Sequence, residues 1–274
     1  MNLANHKAVA LAATRKAERI LLAHRAKKLT VTGKLNRDFV TNADFASEKA
    51  ILETLLGEFP DHAVYAEESG LTVGRDRIKS PPPERLLGEE WLWVVDPLDG
   101  TINFAHGLDH FNVTIALVHK GRRVLGVVRS PVLDETTVAV RGKGATRNGK
   151  RLRMKDRPLR DALFLSYVSA HYDEVETKKA LGMVGALLTR SHGWRDFGNG
   201  AADLAQVARG TVDFLVTMKC DAFSFSAAAL AVEEAGGKVV DFQGAAWDVV
   251  SRNLIAGPPK LVDEVRGVVN GALA

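Results

Sequence analysis

The sequence predicts a layered α/β protein. Apolar residues recur at helical spacing in residues 3–28, whereas residues 111–141 contain three runs with the alternation of strands. Predicted strands are followed by predicted helices in both halves of the chain, which is typical of sheets covered by helices. We place the start of a second lobe near residue 158. Residues 1–157 and 158–274 are therefore expected to form two lobes of one compact unit.

The N-terminal lobe begins with two predicted helices. The first covers residues 3–28 and the second covers residues 44–59, where Pro60 ends it because proline cannot continue a helix. A short strand is expected at 64–66. Residues 71–90 contain consecutive prolines and no apolar periodicity, so we predict a polar loop there.

An antiparallel meander is predicted in the middle of the chain. Its strands are expected at 111–119, 123–130 and 136–141, with turn residues between them. The next segment, 147–150, has the sequence RNGK, and its Asn-Gly pair indicates a tight hairpin turn.

The C-terminal lobe is predicted to contain further strands and helices. Strands are expected at 163–168, 213–217 and 238–241, and helices at 178–188, 201–209, 226–234 and 261–269. Gly236 and Gly237 are expected to end the third of these helices, because glycine readily adopts the left-handed conformation of a helix terminus.

The composition is that of an ordinary globular protein. The chain has 46% hydrophobic and 26% charged residues, with a formal net charge of +4. The basic residues are scattered, which favours a small anionic substrate over a nucleic acid. No apolar run reaches membrane-spanning length. The single cysteine, Cys220, excludes an intrachain disulfide and indicates a reducing, cytoplasmic environment.

The most informative motif is DPLDGT at residues 96–101, directly after the apolar run WLWVV. Pro97 is expected to end this strand because it has no amide hydrogen. Asp96 and Asp99 can then face one point, where two anions would repel each other unless a cation joined them. Hard oxygen ligands favour Mg²⁺. The alternative is a surface turn with solvated acids.

Other acidic and polar residues could join this point. Glu67 lies just after the predicted strand at 64–66, and acids at two strand ends can converge on one metal site; an exposed acidic turn is the alternative. Asp44 lies in a predicted first helical turn, where capping alone would explain it. Thr101 follows Gly100 at the possible start of a short helix, where its hydroxyl could position a water molecule.

Three further patterns carry less information. His106 and His110 are four residues apart, but no zinc motif accompanies them. Cys220 has no evident histidine partner, which favours an inert buried thiol. The small-residue segment at 197–202 could bring backbone close to a substrate, although plain packing also explains it.

Taken together, these segments resemble the inositol monophosphatase family of Mg²⁺-dependent, lithium-sensitive phosphatases. The matching segments are 40–44 (VTNAD), 67–69 (EES), 93–104 (WVVDPLDGTINF), 142–149, 198–202 and 234–237 (EAGG). Their order and approximate spacing agree with the family over nearly the whole chain. The resemblance implies an α-β-α-β-α sandwich, usually dimeric, that acts on a small anionic phosphate ester.

The resemblance also implies roles for individual residues. Glu67, Asp96, Asp99 and the Leu98 carbonyl would hold Mg²⁺ in the N-terminal lobe. Thr101 with Asp44 would position and deprotonate the attacking water near the metal ion that Glu67 helps to bind. The C-terminal lobe would complete the substrate site. The expected substrate-binding residues are Asp99, Gly100, Thr101, Gly198, Asn199 and Gly200.

This sequence also departs from the family pattern. The family's Trp-Asp pair before the EAGG segment reads Phe223-Ser224 here, so the last metal-binding aspartate is replaced by a neutral serine. Asp221, three residues earlier, either reaches the metal or only caps the following helix. A glutamate that contacts inositol in some members corresponds to Thr217. The segment at 71–90 is longer than usual and could cover the site.

Two functions are therefore compatible with the sequence. The first is a Mg²⁺-dependent phosphomonoesterase acting on a small polyol, sugar or metabolite phosphate through a metal-activated water. The second is a non-catalytic or regulatory family member that binds an anionic ligand or a partner protein, for which Ser224 is the main support.

Overall fold

Two β-sheets alternate with three helical layers, which confirms the predicted α-β-α-β-α sandwich. The computed structural model describes residues 2–26, 31–33, 39–168 and 172–274. The α-helices in these ranges are α1 (Ala4–Arg25), α2 (Asn42–Glu58), α3 (Pro83–Gly88), α4 (Thr101–Ala105), α5 (Glu174–Leu188), α6 (Gly200–Arg209), α7 (Ala222–Glu234) and α8 (Pro259–Leu273).

The larger sheet has nine strands in the order β11-β10-β9-β8-β7-β6-β3-β4-β5. These strands are β3 (Ala63–Ala66), β4 (Gly70–Val73), β5 (Asp76–Ile78), β6 (Trp91–Asp99), β7 (Asn112–His119), β8 (Arg122–Ser130), β9 (Glu135–Val140), β10 (Gly144–Arg147) and β11 (Lys150–Arg151). Its pairs are antiparallel except for β3 with β6. The strands β7 to β9 confirm the predicted meander.

The smaller sheet has five strands in the order β13-β12-β14-β16-β15. They are β12 (Leu163–Leu165), β13 (Gly193–Arg195), β14 (Phe214–Thr217), β15 (Lys238–Val240) and β16 (Leu254–Gly257). A separate ribbon pairs β1 (Val31–Gly33) with β2 (Phe39–Thr41).

Apolar side chains hold the layers together in three buried clusters. One face of the larger sheet packs on α1 and α2, for example through Leu21, Ile51 and Trp93. The opposite face packs on the middle layer, α6 and α7. The far side of the smaller sheet packs on α5 and α8. Burial of these faces supplies the main driving force for folding.

The middle layer requires an unusually close approach between helix and strand. The interior of α7 is mostly alanine and is buried on all sides, as expected for a helix between two sheets. A Cβ atom at Gly126 of β8 would lie 2.4 Å from the carbonyl oxygen of Ala227. Only glycine allows α7 to lie this close to the larger sheet, and this position sets α7 against the end of β6.

The prediction of a loop at 71–90 is wrong. These residues form β4, β5 and α3 at the edge of the larger sheet. The side chains of β5 are largely solvent-exposed, so this edge strand carries no apolar pattern to reveal it. Pro83 occupies the first turn of α3, where the missing N–H costs nothing. No residue of this segment lines the central cavity described below.

The expected end of β6 at Pro97 is also wrong. The strand continues to Asp99, with Asp96 opposite Thr114 and Asp99 opposite Asn112. Three residue steps on β6 therefore match two on β7, which is a β-bulge. Pro97 lies in this bulge, where the ladder is interrupted and no amide hydrogen is required.

Several element ends differ from the prediction. The helix expected at 226–234 begins at Ala222 and that expected at 178–188 begins at Glu174, because Asp221 and Asp173 cap them. The strand expected at 163–168 ends at Leu165, and β13 and β16 have no counterpart in the prediction.

The remaining elements agree within a few residues. The first helix ends at Arg25, and residues 27 and 28 of its prediction lie outside the described ranges. Asn148 and Gly149 both have positive φ, which confirms the hairpin turn. In the described part of the chain, no helix has both the length and the apolar content needed to cross a bilayer.

Candidate active site

A cavity of about 480 Å³ lies where the carboxyl end of β6 meets the first residues of α4, α6 and α7. Five acidic residues line it: Glu67, Asp96, Asp99, Asp196 and Asp221. Thr101, Ser224 and the backbone of Gly100, Gly198 and Gly200 complete much of its wall. The structure therefore gathers acidic residues from both halves of the chain around one space.

Asp96 is the most deeply buried of these acids, with 2% of its surface exposed. The Leu98 N–H donates to its Oδ1 at 3.0 Å, and the Ser224 hydroxyl lies 3.0 Å from its Oδ2. Burial raises the pKa of Asp96 well above its ordinary value, and the facing carboxylates Glu67, Asp99 and Asp221 raise it further. Asp96 therefore occupies a place where negative charge is not compensated by the protein.

Asp99 is also buried, but it is tied to α6. The Ala201 N–H, in the first turn of that helix, donates to Asp99 Oδ2 at 2.7 Å. Burial raises the pKa of Asp99 to about 6, although the bond from Ala201 opposes this shift. The bulge of β6 therefore presents two buried carboxylates to the same cavity.

Glu67 joins them from the neighbouring strand. Its N–H donates to the Val95 carbonyl at 3.2 Å, which continues the parallel pairing of β3 with β6 by one residue. Glu67 lines the cavity and acts on the charge of Asp96, whereas the adjacent Glu68 does not line it. The main chain of Glu68 instead donates to Glu48 Oε2 at 2.8 Å. The predicted convergence of acids from two strand ends is present in the fold.

Asp221 and Ser224 lie together at the start of α7. The Ser224 N–H donates to Asp221 Oδ1 at 2.8 Å, so Asp221 caps this helix. Asp221 also lines the cavity and raises the pKa of both Asp96 and Asp99. The two alternatives considered for Asp221 are therefore not exclusive: it is a cap, and its carboxylate faces the acidic cavity.

Thr101 is held between two acceptors beside these acids. Its Oγ1 lies 2.9 Å from the Leu98 carbonyl and 3.2 Å from Asp44 Oδ1. Asp44 Oδ2 accepts hydrogen bonds from the N–H and the hydroxyl of Thr41, at 2.9 and 2.6 Å. Asp44 thus uses Oδ2 to complete the capping box of α2 and Oδ1 to contact Thr101. Helix capping therefore accounts for only one of its two carboxylate oxygens.

The glycine segments bring backbone close to the cavity. Gly100 has a φ of 87°, and a Cβ there would lie 2.9 Å from the His110 carbonyl oxygen. Gly198 and Gly200 line the cavity, as expected for the small-residue helix entry. Asn199 does not line it: its buried side chain caps α6 and donates to the Asp99 carbonyl at 3.3 Å. Asn199 therefore supports the wall behind the cavity.

Sequence reasoning missed Asp196, Tyr167 and Lys219, which also line the cavity. Asp196 Oδ1 accepts the Gly198 N–H at 3.0 Å, a local turn contact that the pattern Asp-x-Gly could have indicated. Tyr167 and Lys219 reach the cavity only through the tertiary fold. No local pattern marks them.

Of the other candidates, Cys220 lines the cavity, whereas His106, His110 and Thr217 do not. His110 stacks on Phe197, and His106 follows the last residue of α4. Cys220 is buried, and burial raises its pKa to about 12, while the Trp247 indole donates to its sulfur at 3.2 Å. Its thiol is therefore inert at neutral pH. Thr217 is fully buried and donates to the Lys219 carbonyl at 2.8 Å.

The donor atoms around the cavity fit Mg²⁺ by their chemistry. Carboxylate, carbonyl and hydroxyl oxygens are the ligands this ion prefers, and a divalent cation would relieve the repulsion at Asp96. Among the described residues, no group of three or more acidic, histidine or cysteine side chains is placed so that it could hold a metal ion. The fit therefore rests on the chemistry of the donor atoms and on the uncompensated charge at Asp96.

Comparisons with known proteins identify relatives along the whole chain. A family model described as "Inositol monophosphatase family" matches residues 2–269. Nus factor SuhB of Pasteurella multocida is 36% identical over 271 residues, covering 97% of this chain and 96% of the relative.

Solved structures of related proteins also match nearly the whole chain. Extragenic suppressor protein SuhB of Bartonella henselae superposes with a TM-score of 0.87 at 31% identity, covering 97% of this chain and 98% of the other. The Thermotoga maritima IMPase superposes with a TM-score of 0.84 at 31% identity, covering 98% of each chain.

Mg²⁺ binding should weaken as the pH falls. Asp99 binds a proton more tightly in the folded than in the unfolded protein, so without metal its contribution to stability decreases as the pH rises from about 4 to about 6. Protons and Mg²⁺ then compete for the same oxygens. We expect the Mg²⁺ concentration that gives half of the maximal rise in melting temperature to be about tenfold higher at about pH 5 than at about pH 7.5. An equal requirement at both pH values would contradict this assignment.

Ser224→Asp should strengthen Mg²⁺ binding and weaken the metal-free fold. The new carboxylate would lie where the Ser224 hydroxyl now contacts Asp96, adding a third anion beside Asp96 and Asp221. We expect a lower melting temperature without metal and about tenfold tighter Mg²⁺ binding by calorimetry. Ser224→Asn, which has a similar size but no charge, is the control. Unchanged binding in the aspartate variant would show that Asp221 already supplies the ligand.

Proposed function

The chain belongs to the inositol monophosphatase family, and on that premise we propose that it hydrolyses small phosphate monoesters with Mg²⁺ as its cofactor. The proposed substrates are polyol, sugar or related metabolite phosphates. The observation that carries this proposal is the group of carboxylates that faces one cavity beside the Thr101–Asp44 pair. A polyanionic substrate could not enter such a cavity without cations.

In this proposal Mg²⁺ would be held by three carboxylates and one main-chain carbonyl, those of Glu67, Asp96, Asp99 and Leu98. Asp221 and Ser224 would contribute further oxygen ligands from the start of α7. Most of these ligands come from the proposed N-terminal lobe, residues 1–157. When bound, Mg²⁺ would neutralise the phosphate charge and stabilise the leaving alkoxide. The Leu98 carbonyl accepts from Thr101 and has a second lone pair for a cation.

Thr101 is proposed to receive the proton of the attacking water. Its hydroxyl hydrogen is directed to Leu98 or Asp44, which leaves an oxygen lone pair to accept a hydrogen bond from water. As the water attacks phosphorus, its proton would move to Thr101 Oγ1 while the Thr101 proton moves to Asp44 Oδ1. The two bonds from Thr41 hold the Asp44 carboxylate in place for this transfer.

The substrate phosphate is proposed to lie against the backbone of Gly100 and Thr101, at the start of α4. Gly198 and Gly200 would form the opposite wall, where the absence of side chains leaves room for the ester. Asn199 would act indirectly, because it holds the Asp99 carbonyl and caps α6. We also propose that the protein is a cytoplasmic homodimer, in line with the family resemblance.

A regulatory function is the second candidate. Relatives such as that of Pasteurella multocida are named Nus factor SuhB, a name that states no phosphatase activity. Ser224 in place of the expected aspartate also weakens one side of the proposed metal site. Release of inorganic phosphate from a panel of metabolite phosphates, with and without Mg²⁺, separates the two. No turnover of any ester at millimolar Mg²⁺ would favour the regulatory protein.

Thr101→Val should lower kcat by a factor of about 10² to 10³ and leave KM nearly unchanged. Valine keeps the shape of threonine but removes the hydroxyl that links the water to Asp44. Thr101→Ser retains the hydroxyl and serves as the control, with an expected loss of less than about tenfold. Steady-state phosphate release checks both variants. If valine were as active as serine, Thr101 would have no part in proton transfer.

A further inference from the structure

Lys219 gives the acidic cavity one positively charged side. Among the described residues that line the cavity, it is the one with a cationic side chain. The charged residues elsewhere in the wall are carboxylates. An anionic group placed next to them would be repelled, whereas one placed next to Lys219 would be attracted.

Contacts with α5 hold Lys219 in this position. Its ammonium donates to Glu176 Oε2 at 2.7 Å and lies 5.4 Å from the centroid of the Tyr172 ring. Its backbone N–H donates to the Tyr172 hydroxyl at 3.0 Å. Glu176 Oε2 also accepts the Asp173 N–H at 2.9 Å, as part of the capping box of α5. The end of the lysine side chain is therefore anchored by a fixed partner at the rim of the cavity.

The Lys219 side chain remains accessible to a ligand. It is 47% exposed while paired with Glu176. An ammonium group has three N–H donors, so it can keep the bond to Glu176 and donate to a bound anion. The cavity, at about 480 Å³, also has the size of sites that enclose small metabolites.

We infer, on the basis of the proposed function, that the preferred substrates are phosphate esters with a second anionic group, and that Lys219 binds this group. The group is a carboxylate or a second phosphate. The ester phosphate would lie at the carboxylate side with Mg²⁺, and the second anion would lie at the rim. The phosphate ester of an uncharged polyol has no second anionic group and would make no use of Lys219. Lys219 is thereby assigned as a specificity-determining residue.

Matched pairs of compounds test this inference. Glycerol 2-phosphate and 2-phosphoglycerate differ only in that a hydroxymethyl group is replaced by a carboxylate. Glucose 1-phosphate and glucose 1,6-bisphosphate differ by a second phosphate. Binding is measured in an Asp44→Asn variant, in which the proposed mechanism makes hydrolysis slow. For each pair we would compare the two dissociation constants with Mg²⁺ present. Turnover is measured in the protein with Asp44 intact, as the ratio of the two kcat/KM values.

Lys219→Met should reduce the preference for the second anion about tenfold in at least one pair, and Lys219→Arg should retain most of it. Binding of the single-anion member should change less than about threefold. Lys178→Met is the matched control. Lys178 pairs with Glu174 on the exposed side of α5 and does not line the cavity, so its removal changes the net charge equally.

The binding measurements test the role of Lys219, and the turnover measurements test the proposed hydrolysis. A Lys219→Met variant with unchanged preference in both pairs would overturn the inference, and so would a failure of both doubly anionic compounds to bind at millimolar concentration. A loss of the preference in binding, without phosphate release from any ester, would support Lys219 as the residue that binds the second anion and would reject the proposed catalysis. If Lys219→Met lowers the preference for the doubly anionic compound in only one of the two pairs, that pair identifies the second group as a carboxylate or a phosphate.

Discussion

The structure depends on the placement of several carboxylates around one cavity. Asp96 and Asp99 lie on the bulged end of β6, Glu67 follows β3, and Asp221 precedes α7. Main-chain N–H groups stabilise three of them: Leu98 donates to Asp96, Ala201 to Asp99 and Ser224 to Asp221. These bonds orient the carboxylates but do not remove their charge. Burial, together with the nearby carboxylates, therefore still raises the pKa values of Asp96 and Asp99. A site of this kind is stable in its ionised form only with a cation, which is why we connect the fold to Mg²⁺ chemistry.

The layered arrangement determines where these acids meet. The bulge at Pro97 turns Asp96 and Asp99 toward α6 and α7, and the small residues of α7 allow it to lie against β8 at Gly126. Capping also connects α2 and α7 to the site, because Asp44 and Asp221 cap these helices and also face Thr101 or the cavity. A substitution at these positions would therefore change helix stability and the site together.

Local signals in the sequence predicted the layered α/β class, whereas the order of the layers was implied by the family resemblance. Strand alternation, helix periodicity and the Asn148-Gly149 turn are encoded over short distances, and so is the DPLDGT segment. The prediction of a loop at 71–90 is wrong because the exposed edge strand β5 has no apolar pattern. Helix α7 begins four residues earlier than predicted, because Asp221 caps it at Ala222. Tyr167 and Lys219 reach the cavity only through tertiary packing, which no local pattern encodes.

The most direct test of the account compares Asp96→Asn with the unsubstituted protein, using melting temperatures measured with and without Mg²⁺ near neutral pH. Asparagine can accept from the Leu98 N–H and still contact the Ser224 hydroxyl, so the substitution removes charge and retains the hydrogen bonds. We expect the metal-free variant to be at least as stable as the unsubstituted protein, because a buried and repelled anion is gone. We also expect it to lose most of the stabilisation by Mg²⁺ and all measurable phosphate release. A variant that is destabilised without metal, and that Mg²⁺ still stabilises to the full extent, would contradict the claim that these carboxylates are arranged around a cation.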